Sequence, residues 1–184
     1  MDLVARAKSI LTTPKTEWPA IAAEASDTAS LYTGYIAPLA AIGPVALLIS
    51  MTVMIGLGTA ISLAIGMYVS SLVGVFIMAL VVSKLAPSFG GRNDMGQALK
   101  LVAYSHTPAW VASVLLLFPP LALLVLLAAL YGIYLYYIGV PAAVGVPQEK
   151  AAVYTLVSIV VVVVISIVLR YLLVLIAGGR MAMM

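Results

Sequence analysis

The side chains able to do chemistry are few, and most sit in apolar surroundings. His106 is the only histidine, placed between Tyr104-Ser105 and Thr107-Pro108 in a long uncharged stretch. An ionisable group at membrane depth is costly and points to function by default. Pro108 adds a helix irregularity, which at such depth has to face protein or water. One histidine without Cys, Asp or Glu at ligand spacing makes a poor metal site. It also lacks the base-and-orienter pair that activates a nucleophile. His106 therefore reads as a neutral, hydrogen-bonded structural group or as a proton-handling or transport residue, with catalysis a distant third. Tyr131, Tyr134 and Tyr137 recur at i, i+3 spacing on one helix face, with Tyr136 nearby. They suit an aromatic belt or a groove for lipid headgroups. Arg170 lies seven residues before Ala177, roughly 10 Å from its helix end. It either snorkels to the interface or pairs with a lipid phosphate or a partner. Together, Tyr104, His106, Tyr131, Tyr134, Tyr137 and Arg170 form a candidate intramembrane polar or lipid site.

A second pattern concerns packing. Gly58, Ser62, Gly66, Ser70 and Gly74 are small residues at a strict spacing of four. Each step of four advances about 40° beyond a full turn, so the row is a slow spiral groove on one face. Small residues let two backbones approach closely in a solvent that gives apolar contact no advantage. The groove packs either against another helix of the same chain or against a second molecule. Catalytic signatures are missing. Gly90-Gly91 is not followed by Gly-Lys-Ser/Thr, and there is no HExxH and no dinucleotide fingerprint. Asp94, the only carboxylate of its loop, reads as a local ion pair or a helix N-cap. The expectation is a non-enzyme with no metal and no cofactor.

The elements that hold these residues follow from composition. Of 184 residues, 65% are hydrophobic and 8% charged, with a mean hydropathy of +1.22. A soluble domain carries about 25% charged residues. No Lys, Arg, Asp or Glu occurs at 28–83 or at 101–148. About 20 apolar residues span a bilayer as a helix, so each gap holds two crossings, and 151–169 begins one more. This predicts an all-α, polytopic membrane protein with five transmembrane helices, at about 31–55, 60–82, 97–118, 121–138 and 151–177. Pro38 and Pro44 interrupt the first, Pro108 the third, and Gly139-Val140-Pro141 ends the fourth. Residues 1–30 form a cytoplasmic N-terminal segment. Leu3, Val4, Ala7, Ile10 and Leu11 make the apolar face of a short amphipathic helix, with Arg6, Lys8, Ser9 and Thr12 opposite. It lies in the headgroup plane or packs on the protein's own loops. Trp18 suits the interface. With seven charges, residues 1–27 do not read as a cleavable signal peptide.

Charge sets the orientation. Five crossings put Arg6, Lys8, Lys15, Lys84, Arg92, Lys100 and Lys150 on one side, seven of the nine cations. That side is cytoplasmic by the excess of Lys and Arg, leaving the C-terminus periplasmic or extracellular. The basic residues form no patch for nucleic acid. The absence of cysteine excludes disulfides and thiolate chemistry.

Three segments carry a family resemblance: RAKSILTTPKTEWPAIAAE, GGRNDMGQALKLVAYSHTPAW, and LYGIYLYYIGVP followed by VPQEKAAVYT. In order and spacing they resemble the Yip domain family, the Ypt-interacting proteins, in its compact bacterial branch. The resemblance implies five crossings, a cytoplasmic N-terminal segment and a bacterial inner membrane. Eukaryotic members bind small prenylated GTPases and act in vesicle traffic. With about thirty residues before the first crossing, this chain is expected to lack their long partner-binding region. The reading is a membrane scaffold, adaptor or accessory subunit acting through helix and lipid association. Its partners would be the lipid bilayer and a homo-oligomer or larger membrane complex. The rival is a small oligomeric transporter or lipid-handling protein.

Overall fold

The computed structural model describes residues 2–25 and 27–181, with side chains for all of these except Pro119, Arg170 and residues 172–181. Among the described residues every regular element is helical. Asp2 starts α1 (Leu3–Thr12) by accepting from the Val4 and Ala5 amides. The chain turns at Thr13, and Pro14 opens α2 (Pro14–Ala23). Its missing N–H costs nothing at that position, since the first amides of a helix have no internal partner. Both helices pack onto the rest of the protein, burying Ala7, Ile10, Trp18 and Ile21. The apolar face expected for α1 is mostly the buried one, with Leu3 and Leu11 packed beside Ala7 and Ile10, but Val4 falls outside it. Val4 is 71% exposed, while Arg6 turns inward, drawn to two carboxylates of the next segment.

The first long helical stretch is broken where its prolines require. It comprises α3 (Thr28–Leu31), a π-helical turn at Tyr32–Ile36, α4 (Ala37–Ala40) and α5 (Ile42–Ile55). Pro38 cannot donate to the carbonyl four residues back, and the chain widens just before it, with the Ala37 amide reaching Tyr32 O. Next come α6 (Leu57–Leu85), a 3-10 turn at Ala86–Phe89, and α7 (Met95–Ala112), capped by Asp94 through the Gln97 amide at 3.0 Å. Two 3-10 turns, Ser113–Leu117 and Pro119–Leu121, lead into α8 (Ala122–Val144), which is followed by α9 (Gln148–Met181).

The sequence expectation for α8 needs correction. Its helix does not break at Gly139-Val140-Pro141 but continues to Val144 and stops at Gly145, in the left-handed region with φ 71°. Pro141 sacrifices one backbone bond. The turn survives because Gly139, Val140, Ala143 and Val144 are buried against neighbours. A Cβ on Gly139 would lie 2.4 Å from the Trp18 ring, so glycine is what lets α2 seat there. Helix α7 also stays helical through Pro108 and ends at Ala112, earlier than the expected 118.

Four stretches are long and apolar enough to cross a membrane: Thr28–Ile55, Leu57–Phe89, Ala122–Val144 and Gln148–Leu169. Helix α7, the expected third crossing, is not among them, and its packing explains why. Every residue from Ala98 to Ser105 is buried, two full turns enclosed on all sides. Such a helix needs no lipid-compatible surface, so it tolerates Gln97, Lys100 and Thr107. The approach of α8 is close enough that a Cβ on Gly132 would sit 2.5 Å from Ser105 O. Tyr154 donates to Val82 O at 2.6 Å, and Tyr136 bonds Ser158 at 3.0 Å, tying α6, α8 and α9 together.

Candidate functional site

The polar groups of the helical bundle concentrate where α2 meets α7. A helix C-terminus leaves carbonyls without partners, and the end of α2 lies against α7. Two side chains of α7, one turn apart, meet it. Lys100 Nζ donates to Ile21 O at 2.9 Å and to Glu24 O at 2.6 Å, and Gln97 Nε2 donates to Ala22 O at 2.9 Å. The cation also complements the negative end of the helix dipole. Lys100 is only 5% exposed, so these carbonyls stand in for the water it has lost. On the other side Arg6 pairs with both Glu17 and Glu24. Burial works against the guanidinium charge, but the hydrogen bonds Arg6 donates to Glu24 and Glu17, with the charge of Glu24, outweigh it and hold the Arg6 pKa above its ordinary value.

An aromatic wall closes this knot. Trp18, 1% exposed, meets Tyr104 edge-on with ring centroids 6.3 Å apart. Tyr104 also packs on Tyr35 at 4.7 Å, and Tyr35 bonds Thr107 at 2.8 Å. Beside the wall lies a cavity of about 420 Å³ bordered by Glu24, Asp27, Ser30, Thr33, Lys100 and Tyr104. Asp27 accepts from Ser30 and Ala29, which holds its carboxyl below the usual range.

The structure disperses the polar residues singled out by sequence. Tyr104 belongs to the knot. His106, two residues on and so on the other side of the helix, lines a separate cavity together with Ser105, and its ring lies 5.6 Å from Trp110. Tyr131 and Tyr134 stack at 5.8 Å, and Tyr131 donates to Leu11 O at 2.9 Å, so this tyrosine holds α1 against α8. Tyr137 accepts from Gln148 at 3.1 Å. The Arg170 side chain lies outside the described residues. Arg6, Glu17, Glu24, Gln97 and Lys100 escaped sequence reasoning as a group. They come from three elements, and the one local signal was Gln97 and Lys100 at i, i+3 spacing on α7.

The small-residue row has a plain outcome. Gly58, Ser62, Gly66, Ser70 and Gly74 are all exposed, and a Cβ on Gly58, Gly66 or Gly74 would meet nothing within 4 Å. No helix of the same chain covers them, so the intramolecular alternative for this groove fails among the described residues.

A family model for the Yip1 domain matches residues 8–170. The chain belongs to the Yip1 domain family. No curated protein and no solved structure matches it. Within this Yip1 domain the match takes in Glu17, Glu24, Gln97 and Lys100, so α2 and its bonds to α7 lie inside the matched region. Family and apolar helices together make this a multi-pass membrane protein.

Proposed function

We propose that this Yip1 domain protein is a non-catalytic membrane scaffold or adaptor that works by helix association, with α6 as its contact face. The exposure of all five small residues carries the reading. In lipid, helix contact depends on backbone approach and dispersion, and a row of this kind with none of the described residues upon it suits a partner helix. The one hydroxyl near its start is already engaged, since Ser62 Oγ donates to Gly58 O at 3.0 Å. The face therefore offers shape, with the Ser70 hydroxyl as its other polar group. Beside it, Ile61, Leu63, Ile65 and Val69 remain exposed and would rim the contact.

In this reading the chain crosses a bacterial inner membrane five times. Four crossings are the apolar stretches, and α7 is a fifth that they enclose. The N-terminal helices stay cytoplasmic, and the C-terminus lies outside. The test is native mass spectrometry of the full chain extracted in mild detergent, with Gly66→Ile as the perturbation. A branched side chain in the middle of the face should dissociate a homo-oligomer or release a co-purifying membrane subunit. An unchanged set of complexes would remove α6 as the working face.

A further inference from the structure

A second cavity, of about 170 Å³, lies between α7, α8 and α9, with Met78 of α6 in its wall. Ala129, Ile133 and Ile159 make most of the rest apolar. Two polar groups interrupt it. Ser105 is 5% exposed, and its Oγ has no hydrogen-bond partner. The His106 Nδ1 lies 2.8 Å from Val102 O. A carbonyl only accepts, so Nδ1 carries the proton and the neutral ring keeps Nε2 as an acceptor. No described group bonds that nitrogen. Tyr136 also lines the cavity, but its hydroxyl is engaged by Ser158. One open acceptor thus stands unpaired in an apolar slot, and beside it an unpaired serine hydroxyl is sealed in the wall.

Size, depth and chemistry restrict the occupant. The space holds about five or six water-sized groups. Ala129 and Ile133 lie roughly 10–17 Å along α8 from its start at 1.5 Å per residue, close to the middle of a hydrocarbon layer of about 30 Å. Ile133 is 43% exposed, which opens the slot sideways toward lipid. A plain hydrocarbon would leave both polar groups unpaired. A carboxylate or phosphate would bring charge to a site with no cation to meet it. Water would find two partners and otherwise apolar walls, the lower limit for a held water.

We propose that this slot binds the hydroxyl end of a long-chain neutral alcohol, aliphatic or isoprenoid, drawn from the bilayer. Its hydroxyl donates to His106 Nε2 and, once the Ser105 side chain turns about χ1 toward the slot, accepts from Ser105 Oγ–H, while its first methylenes fill the space beside Met78 and Ile159. Helix α6's outer face plays no part in this, so the site stands or falls independently of the scaffold reading.

The test is photolabelling of the full chain in lipid discs. The probe is a hexadecanol carrying a diazirine near its hydroxyl, compared with the same diazirine on hexadecane, and labelled peptides are mapped by mass spectrometry. The alcohol should label peptides containing Met78, Ile133 or Ile159 roughly three- to tenfold more than the alkane, the factor expected of a hydrogen bond. Ser105→Ala should erase that preference, and Ala129→Leu, which fills the slot without touching either polar group, should erase the labelling. In the unaltered protein, unlabelled hexadecanol should compete and hexadecane should not, a readout that needs no variant to fold. Equal labelling by alkane and alcohol, absence of label from these peptides, or competition by both would overturn the assignment.

Discussion

Lys100→Met tests whether the α2–α7 knot fastens the N-terminal helices. Methionine keeps most of the apolar stem and removes the ammonium that serves Ile21 O and Glu24 O. A hydrogen bond from a charged group contributes about 1.5–3 kcal/mol, and a buried acceptor left alone costs about 1–3 kcal/mol. The two bonds do not count equally. That to Ile21 O is buried, whereas Glu24 O is part-buried beside the 420 Å³ cavity, where water can replace the lysine. Counting the buried bond in full and the other in small part gives about 2–4 kcal/mol, or roughly 30- to 700-fold in the undocking equilibrium. Hydrogen exchange by mass spectrometry in lipid discs reads this directly. Amides of residues 3–24 should exchange faster by that factor, while those of α6 remain unchanged. Lys100→Arg, which keeps a cation but misfits the two carbonyls, should fall between. Protection of α1 and α2 within threefold of the unaltered protein would refute the argument and leave Lys100 as a passenger of the packing.

Two further perturbations address the same docking from other sides. Gly139→Ala places a methyl 2.4 Å from the Trp18 ring; overpacking of this kind costs about 1–3 kcal/mol. It should lower the thermal transition and raise Trp18 exposure, seen as a red-shifted emission against a Trp110→Phe background. Asp27 has a carboxyl held below its ordinary value by Ser30 and Ala29. Its cap is therefore fully stabilising above the usual carboxylate pKa and is lost as pH falls through the depressed one. Exchange at Ala29 and Ser30 should accelerate only in that acid window, and not in Asp27→Asn.

Legibility in the sequence divides along physical lines. The apolar stretches were visible because spanning lipid demands a long run of one kind of residue, and the gaps at 28–83 and 101–148 leave no other use. Local caps were visible too, as Asp94 shows, since their partners lie two or three residues away. The end of α8 was misplaced because Gly139 and Pro141 are breakers only where nothing packs on them. Here Gly139 is instead the seat for Trp18, a residue 121 positions earlier. The knot was invisible for the same reason. Arg6 looked like the polar face of an amphipathic helix, and its carboxylates sit on another helix. Trp18 reads as an interfacial side chain and Lys100 as a cytoplasmic cation, and the fold buries both.

The burial of α7 has a consequence for how the protein enters a membrane. If α7 crosses, it does so carrying Gln97, Lys100, His106 and Pro108, with Gln97 and Lys100 bonded to the end of α2 and His106 to a carbonyl of its own helix rather than to lipid. Lys100 lies about 8 Å from the start of α7 at 1.5 Å per residue, short of the helix centre where a lysine costs about 2.5–3.5 kcal/mol on insertion scales, but α7 has few strongly apolar residues to offset even part of that cost. Placed alone as a guest segment in a translocon insertion assay, residues 95–117 should fail to span, whereas α6 should span without help. Replacing Gln97 and Lys100 together by leucine should restore insertion of the guest. In the full chain, a reporter fused within 113–121 should lie outside, and deleting residues 2–24 should reduce that fraction by removing the carbonyls that receive Lys100. Efficient insertion of isolated α7 would mean that its polarity is no burden in lipid. The enclosure seen in the fold would then not be what permits the fifth crossing.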